Sequence, residues 1–414
     1  TESLSYMSNR LKLFRERMAA FEGAANPSEA IESGYYVHAP GKLLVDNISN
    51  RIALRPSSSH LLLGGIGSGK TTQLLVACQQ INEIEDIHAI YIDVSQYTDI
   101  SKITSGVLTA ITGLELANLI KDSEDVNIKE SISLIHKLAL GYEESRITKY
   151  RTPFELIELP KQKIEKVKYE GIIPTISGQF SIRTDLLKVV GELAKEAINK
   201  CGYIVIIFDG LDRLDYAKSF IQLLYSDAKA ISSMGIGLLL VGPLTAIYGD
   251  YRDTVDKILD YFYYQPFFDV ENDSESYKFF EKIIQTRLFD DFIEESAIKA
   301  LIHYSGGVLR DFISLTQAAI EGTYLSGENK AQENHVLKAL DSFGRSQLLG
   351  VSDKELDIIE QLIRTGTFIP RTDEELRLLV RRIIIEYRNP EIRYAVHPAI
   401  KSVIEAIIET RLNF

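Results

Sequence analysis

The chain has 414 residues, 45% of them hydrophobic and 25% charged, enough for two or three domains with sizeable cores. Its 46 Lys and Arg against 58 Asp and Glu give a net charge of −12, which argues against a protein that coats nucleic acid without specificity but leaves room for a local basic patch. No apolar stretch reaches the roughly 18 residues of a membrane span, so no membrane partner is expected. Cys78 and Cys201 stand in apolar contexts without metal spacing, as free thiols of a cytoplasmic protein would.

The opening TESLSYMSNRLKLFRERMAAFEG reads as an amphipathic helix, part of an N-terminal helical segment over 1–34, and lacks the unbroken apolar core of a secretory signal. Residues 59–63 (SHLLL) read as a buried strand, and from Thr72 the spacing of TQLLVACQQI is helical. Between them, residues 64–71 (GGIGSGKT) fit G-x-x-x-x-G-K-[ST]. Strand, loop and helix in that order suit phosphate binding. Glycines let successive N–H groups turn inward onto an anion, and the helix N-terminus adds its positive end. Gly64, Gly65, Ile66, Gly67, Ser68, Gly69, Lys70, Thr71 and Thr72 are the candidate triphosphate contacts. Lys70 would reach the β- and γ-phosphates and the Thr71 hydroxyl a Mg²⁺ ion.

Residues 87–94 (IHAIYIDV) read as a second strand and 100–112 as a helix. Lys70 and Asp209 lie about 140 positions apart, roughly twice the spacing that short connections give, so a segment from about 115 to 183 is inserted. Part of it, KQKIEKVKYEGIIPTISGQFSIR, has four lysines in eight residues followed by a strand-like, glycine-containing stretch. The lysine-rich part reads as a solvated helix face, or as a contact surface for nucleic acid or protein. After a helix over 184–200 comes YIVIIFDGLDR, six apolar residues ending in Asp209, which suits a central parallel strand. Asp209 would hold the metal through water. Asp212 would orient or deprotonate the attacking water, or cap the next helix, or do both. This acid pair favours hydrolysis over transfer to a small molecule. A helix over 215–234 and strands over 235–241 and 261–268 complete an α/β alternation with a parallel sheet. With the acidic strand inserted beside the phosphate strand, the order is expected to be 5-1-4-3-2.

The region from Ser274 to about Phe343 is helical and contains FFEKIIQTRLF and HYSGGVLRDFISLTQAA. With the phosphate loop and the D-G-L-D of 209–212, residues 35–410 resemble the AAA+ ATPases, especially the clade of origin-recognition and replication-initiator ATPases. They are also similar to the STAND signalling ATPases, whose acidic strand often ends in D-G-L-D. The resemblance implies a P-loop core over 35–273 and a helical lid over 274–345. It implies that Arg310, in G-V-L-R, touches the γ-phosphate from the lid, where the bland alternative is a pair with Asp311 or a surface carboxylate. It suggests Arg252 as the arginine offered to a neighbouring subunit, if that side chain is more than a surface arginine beside two aspartates. It suggests residues 34–38 (GYYVH) for packing on adenine, or else as a buried aromatic cluster. One departure stands out: the fourth strand runs into LVGPLT without an Asn or Thr at its end, and Thr245 is the nearest polar group. Slow hydrolysis, as in a switch, is the expectation.

Residues 352–364 show a serine cap and helical periodicity, 373–386 a helix whose end passes into a strand, 387–390 a turn, 393–398 a return strand and 399–411 a last helix. This order over 346–414 resembles the winged-helix module of replication initiators, and Y-x-V-H-P resembles their step from wing to final helix. His397 reads as a packing or hydrogen-bonding residue. Arg377, Arg381, Arg382, Arg388 and Arg393 would line a DNA surface, but Asp373, Glu374, Glu375, Glu386 and Glu391 are interleaved with them. The expectation is thus a cytoplasmic, Mg²⁺-dependent ATPase whose lid closes on ATP and which then associates with itself. It would act in a DNA transaction or antiviral genome defence through double-stranded DNA at the winged helix, or as a STAND-like regulator contacting a protein effector.

Overall fold

The computed structural model describes residues 2–22, 27–40, 43–150, 161–173, 182–214, 217–248, 251–288 and 290–412. In chain order the elements begin with α1 (Glu2–Glu22), α2 (Pro27–Glu32), α3 (Leu43–Leu54), β1 (Ser59–Gly64), α4 (Lys70–Asn82) and β2 (Ile87–Asp93). Next come α5 (Val107–Leu119), α6 (Val126–Leu140), β3 (Gly141–Tyr150), β4 (Lys161–Glu170), α7 (Thr184–Cys201) and β5 (Tyr203–Asp209). Then follow α8 (Ala217–Leu223), α9 (Lys229–Ser233), β6 (Gly237–Val241), α10 (Arg252–Ile258) and β7 (Tyr261–Gln265). The remainder is α11 (Ser274–Arg287), α12 (Glu295–Tyr304), α13 (Leu309–Leu325), α14 (Glu333–Gln347), α15 (Asp353–Thr365), α16 (Asp373–Val380), β8 (Ile384–Tyr387), β9 (Arg393–Val396) and α17 (Pro398–Leu412). No described helix is long and apolar enough to cross a membrane.

The fold is α/β around a five-stranded sheet ordered β2-β5-β6-β1-β7. Counted by their position in the chain and read from the other edge, these strands lie 5-1-4-3-2. The acidic strand β5 is not the neighbour of β1, however, because β6 stands between them. β5 pairs in parallel with β2 from Ile87↔Tyr203 to Asp93↔Asp209, and with β6 from Val205↔Gly237 to Phe208↔Leu240. Past Tyr203 every residue of β5 is buried, as expected for a strand covered on both faces.

Contacts divide the chain into two units, one of Asn50–Leu61 and Gln80–Phe262, the other of Thr1–Ser49, Leu62–Gln79 and Tyr263–Phe414. In the first, α7 turns Leu186, Val189, Val190, Leu193 and Ala197 inward at helical spacing. The stretch expected as one helix over 215–234 is instead α8 and α9 joined by a π-helical turn at Leu224–Ala228, with 215–216 outside the described residues. That turn faces Asp227 inward, where it accepts bonds from the Gly106 N–H at 2.9 Å and from the Thr109 N–H and hydroxyl at 2.8 Å each. It thereby caps α5, whose own N-cap, Gly106, has no side chain. Burial pushes the Asp227 carboxyl up, against these bonds.

The lysine-rich stretch expected as a helix face is strand β4, paired antiparallel with β3 from Gly141↔Glu170 to Tyr150↔Lys161. Tyr142 stacks on Tyr169 at 4.6 Å between centroids, and Glu143 stands opposite Lys168. Such cross-strand pairs stabilise a ribbon in a way that helical lysine spacing would not. Of the glycine-containing stretch expected as a strand, residues 174–181 lie outside the described residues; 171–173 are not strand.

In the second unit α1 and helices α11 to α14 share one core, with Phe14 and Phe21 beside Phe280, Phe292, Phe312 and Leu301. Arg10 of α1 donates to the carbonyls of Thr323, Tyr324 and Glu328 and so closes the C-terminal end of α13. Ser352 with Glu355, and Thr372 with Glu375, form capping boxes that start α15 and α16. β8 and β9 form an antiparallel hairpin from Ile384↔Val396 to Tyr387↔Arg393.

Candidate nucleotide site

The path of the loop after β1 is set by backbone geometry. Gly67 and Gly69 take φ of 89° and 94°, values an L side chain rarely adopts. These turns bring the chain to the head of α4. The Lys70 ammonium reaches back and donates to the carbonyls of Gly64 and Gly65, 2.9 Å from each. The Ser68 hydroxyl is buried and finds no hydrogen-bond partner among the described residues. A buried hydroxyl left without a partner fits a loop built around an anion, and so do a buried ammonium and the helix N-terminus. Thr71 and Thr72 follow in the first turn of α4, both half-buried.

Two segments of the same unit close over this loop. The N-terminus of α13 lies on it: the Arg310 N–H donates to the Gly67 carbonyl at 3.3 Å. A Cβ at Gly67 would stand 2.8 Å from the Arg310 Cβ, and one at Gly69 2.8 Å from Leu309 Cδ1. From the other side Phe267 presses its ring on Gly65, where a Cβ would come within 2.2 Å of its Cζ. The segment at 34–38 joins them. The Tyr36 hydroxyl bonds Gln73 of α4, with burial pushing that phenol up, and the Tyr35 carbonyl accepts from Arg287 of α11 at 3.2 Å.

The Arg310 side chain is exposed at the start of α13. Its neighbour Asp311 is buried and has other partners. Arg382 holds it with two bonds of 3.1 and 3.2 Å, and His397 Nε2 lies 3.1 Å away. Burial pushes the Asp311 carboxyl up, but the His397 bond and the Arg382 charge outweigh it and hold it below the usual carboxylate range. The same turn is gripped by the Tyr387 hydroxyl, which donates to the Gly306 carbonyl at 2.7 Å.

Asp209, Asp212 and Arg252 belong to the other unit. Asp209, at the end of β5, is buried; it accepts the Tyr91 hydroxyl at 2.8 Å and the Gly210 N–H at 2.7 Å. Burial, then the Asp209 charge, push the Tyr91 phenol far above its ordinary value, so Tyr91 stays a donor that fixes the carboxylate. Asp212 lies half-buried in a single 3-10 turn, Leu211–Arg213, whose N-cap is Gly210, so Asp212 is not its cap. The Thr245 hydroxyl, beyond the end of β6, is shielded and has no hydrogen-bond partner among the described residues. Arg252 opens α10, exposed. Among the described residues no three His, Cys, Asp or Glu side chains form a metal cage. A Mg²⁺ ion held through one carboxylate, one hydroxyl and the phosphates themselves needs no such cage.

All five arginines read as a DNA surface are engaged within the chain. Arg377 bonds Glu355, Arg381 the carbonyls of Gln347 and Leu349, and Arg382 Asp311. Arg388 bonds Glu386 and lies over the Tyr264 ring, and Arg393 holds Asp269 with two bonds of 2.6 Å. Phe267 and Tyr91 carry no role in the sequence reading, and Asp311 only that of a possible Arg310 partner. Tyr91 carried a faint signal, a polar-tipped ring in an otherwise apolar strand. The other two carried none.

No family model matches the chain. No curated protein matches it. Similar solved structures include the ORC2 protein of Aeropyrum pernix in ADPNP–ADP complexes, 13% identical, covering 89% of this chain and 94% of that one with a TM-score of 0.44. They include Cdc6p of Pyrobaculum aerophilum, 16% identical over 92% and 98% with a TM-score of 0.43. A Walker-type ATPase of Pyrococcus abyssi is 17% identical over 89% and 97%, also at 0.43.

Proposed function

We propose that the chain is a magnesium-dependent ATP-binding and ATP-hydrolysing switch of the AAA+ kind, which assembles with itself when ATP is bound. The observation that carries the reading is the glycine loop with its orphaned Ser68 hydroxyl and buried Lys70 ammonium, covered by the start of α13. Bound ATP with Mg²⁺ supplies the bond that water cleaves to ADP and phosphate. Lys70 would exchange the Gly64 and Gly65 carbonyls for β- and γ-phosphate oxygens. Thr71 and Asp209 would hold the cation, with Tyr91 fixing the orientation of Asp209. Asp212 would position the attacking water and accept its proton, and Thr245 offers the one polar group past β6 that could steady it. Arg310 would reach the γ-phosphate, so that its charge is neutralised only when the third phosphate is present. Arg252 would serve the site of a neighbouring copy.

For the C-terminal module, over 346–414, the internal pairing of Arg377, Arg381, Arg382, Arg388 and Arg393 favours a protein-contact role over groove reading. Arg382 holds α13 and Arg393 the segment after β7, so the module would act on the lid. Charge reversal at Arg381 and Arg382 would therefore test stability and not DNA contact.

Titration calorimetry with ATP and ADP, followed by phosphate release, tests the reading. Lys70→Ala is expected to abolish nucleotide binding, Asp212→Asn to keep binding but slow turnover, and Arg310→Ala to narrow the preference between ATP and ADP. Unchanged ATP affinity in Lys70→Ala would remove the loop from its role.

A further inference from the structure

We infer that Tyr91 is a positioning residue that sets which divalent cation the chain accepts with ATP, holding Asp209 so that it takes Mg²⁺ through water and disfavours Ca²⁺. The inference rests on the assignment of Asp209 to the cation in the proposed function, and adds a selectivity which that assignment does not contain. The residues that carry it lie in one unit, on the paired strands β2 and β5 and in the turns that follow them.

The register explains why a tyrosine stands there. Tyr91 is opposite Ile207, and Asp209 lies two residues further along β5, about 6.6 Å at ~3.3 Å per residue. A long side chain ending in a donor covers that span, and the Tyr91 hydroxyl meets Asp209 Oδ2 at 2.8 Å. The backbone supplies a second donor. Gly210 takes φ of 95°, which suits glycine, and its N–H meets Asp209 Oδ1 at 2.7 Å. Each carboxylate oxygen therefore accepts a donor, and neither donor brings a positive charge of its own to compete with a cation. Asp209 is 6% exposed, so a donor lost here is not simply replaced from bulk water.

The two cations ask different things of such a carboxylate. Mg²⁺ dehydrates reluctantly and keeps several waters, whereas Ca²⁺ gathers about 6–8 oxygens and often takes both oxygens of one carboxylate. A carboxylate has about four lone-pair sites, so Asp209 with a donor on each oxygen can still accept a proton from water on a cation. A two-oxygen grip on the cation itself competes with both donors for the same oxygens. Asp93, opposite Asp209 in register, turns its Oδ1 onto the Ser95 N–H and hydroxyl at 3.0 and 2.6 Å and so is committed to its own turn. Of the two donors on Asp209, the Gly210 N–H belongs to the backbone, but the Tyr91 hydroxyl is removed by one substitution. Tyr91→Phe keeps the ring between the strands and opens Oδ2 to direct coordination.

Calorimetric titration of ATP into the full chain tests this, in EDTA, in Mg²⁺ and in Ca²⁺, for wild type, Tyr91→Phe and Asp209→Asn. Wild type should bind ATP roughly tenfold or more tighter with Mg²⁺ than with Ca²⁺. In Tyr91→Phe that preference should narrow by about tenfold, ~1.4 kcal/mol, the scale of one hydrogen bond to a charged acceptor, while the affinity in EDTA keeps its wild-type value. Asp209→Asn should lose the gain from either cation. An Asp209→Asn chain that keeps the gain from Mg²⁺ would remove Asp209 from the cation, and the inference would fall with the reading it stands on. If Asp209→Asn loses that gain but Tyr91→Phe keeps the wild-type ratio of Mg²⁺ to Ca²⁺ affinities, the inference alone is overturned. Equal wild-type affinity with both cations overturns it too, and so does a Tyr91→Phe chain weakened by the same factor in every buffer, which is what a merely structural tyrosine would give.

Discussion

Asp311 is one residue through which the segments flanking the C-terminal hairpin hold the start of α13, and Asp311→Asn tests that link. The substitution leaves the Arg382 guanidinium, 14% exposed, and the His397 ring, 1% exposed, facing an amide in place of a carboxylate. Removing the charge of one partner in a buried pair costs about 3–5 kcal/mol, a large share of the ~5–15 kcal/mol that holds a domain folded. At roughly 2–4 °C per kcal/mol for a unit of this size, the melting temperature should fall by roughly 6–20 °C. Arg382 has a further signature, because it holds φ at 60°, a left-handed conformation that costs a non-glycine residue about 1–2 kcal/mol. Arg382→Gly should therefore be about 1 kcal/mol less damaging than Arg382→Ala, since both lose the pair but only glycine relieves the backbone. Thermal and urea unfolding of Asp311→Asn, Arg382→Gln and the double variant would give the coupling energy. The pair is refuted as a clamp if that energy is near zero, or if Asp311→Asn melts within about 1 °C of wild type. The sign with pH follows from its depressed carboxyl: the contribution is complete above the ordinary carboxylate value of 3.8 and is lost as pH falls through the lower value of the folded state.

Two further outcomes are expected. Gly65→Ala should weaken ATP binding and destabilise the chain by about 1–3 kcal/mol, because the new Cβ meets the buried Phe267 ring. Phe267→Ala in the same chain should restore part of the binding, and a Gly65→Ala protein with wild-type affinity would show that the ring does not set the loop. His60 is buried beside Ser58 and stacked on Tyr261, and burial lowers its imidazole from 6.5 to about 4. Stability should be complete above pH 6.5 and fall towards about 4, by roughly 3 kcal/mol at ~1.4 kcal/mol per unit. A His60→Gln chain whose urea midpoint has the same slope over that window would assign the loss to other groups.

The local features were legible in the sequence. The glycine loop, the apolar runs of β1 and β5 and the serine-capped start of α15 depend on residues adjacent in the chain, and the structure places each where its pattern points. What the sequence could not reveal depends on distant partners. KQKIEKVKYE is a strand because GYEESRITKY pairs with it antiparallel. The 215–234 helix breaks into a π turn because the Gly106 and Thr109 N–H groups, 121 and 118 positions away, need the Asp227 carboxylate. The arginines of the last module looked free for DNA because the carboxylates that take Arg382 and Arg393 lie 71 and 124 positions earlier. A one-dimensional charge pattern cannot distinguish a solvated arginine from one already paired.

Bond strengths also indicate which part would move when the third phosphate draws on Arg310. The turn before α13 is attached in two directions. Towards the phosphate loop lies the Arg310 N–H bond to the Gly67 carbonyl, stretched to 3.3 Å. Towards the C-terminal hairpin there are the two-bond Arg382 pair, the His397 contact and the 2.7 Å Tyr387 bond to Gly306. A neutral hydrogen bond contributes about 1 kcal/mol, while breaking a buried ion pair costs about 3–5 kcal/mol. The stretched backbone bond yields before the ion pair. A shift of α13 over the loop would therefore carry the hairpin with it, and nucleotide state would become a displacement of the C-terminal module. Asp311→Asn removes the ion pair and leaves the Tyr387 bond to Gly306 as the hold on that turn. In that variant the discrimination between ATP and ADP at the loop should survive while the module follows it less closely.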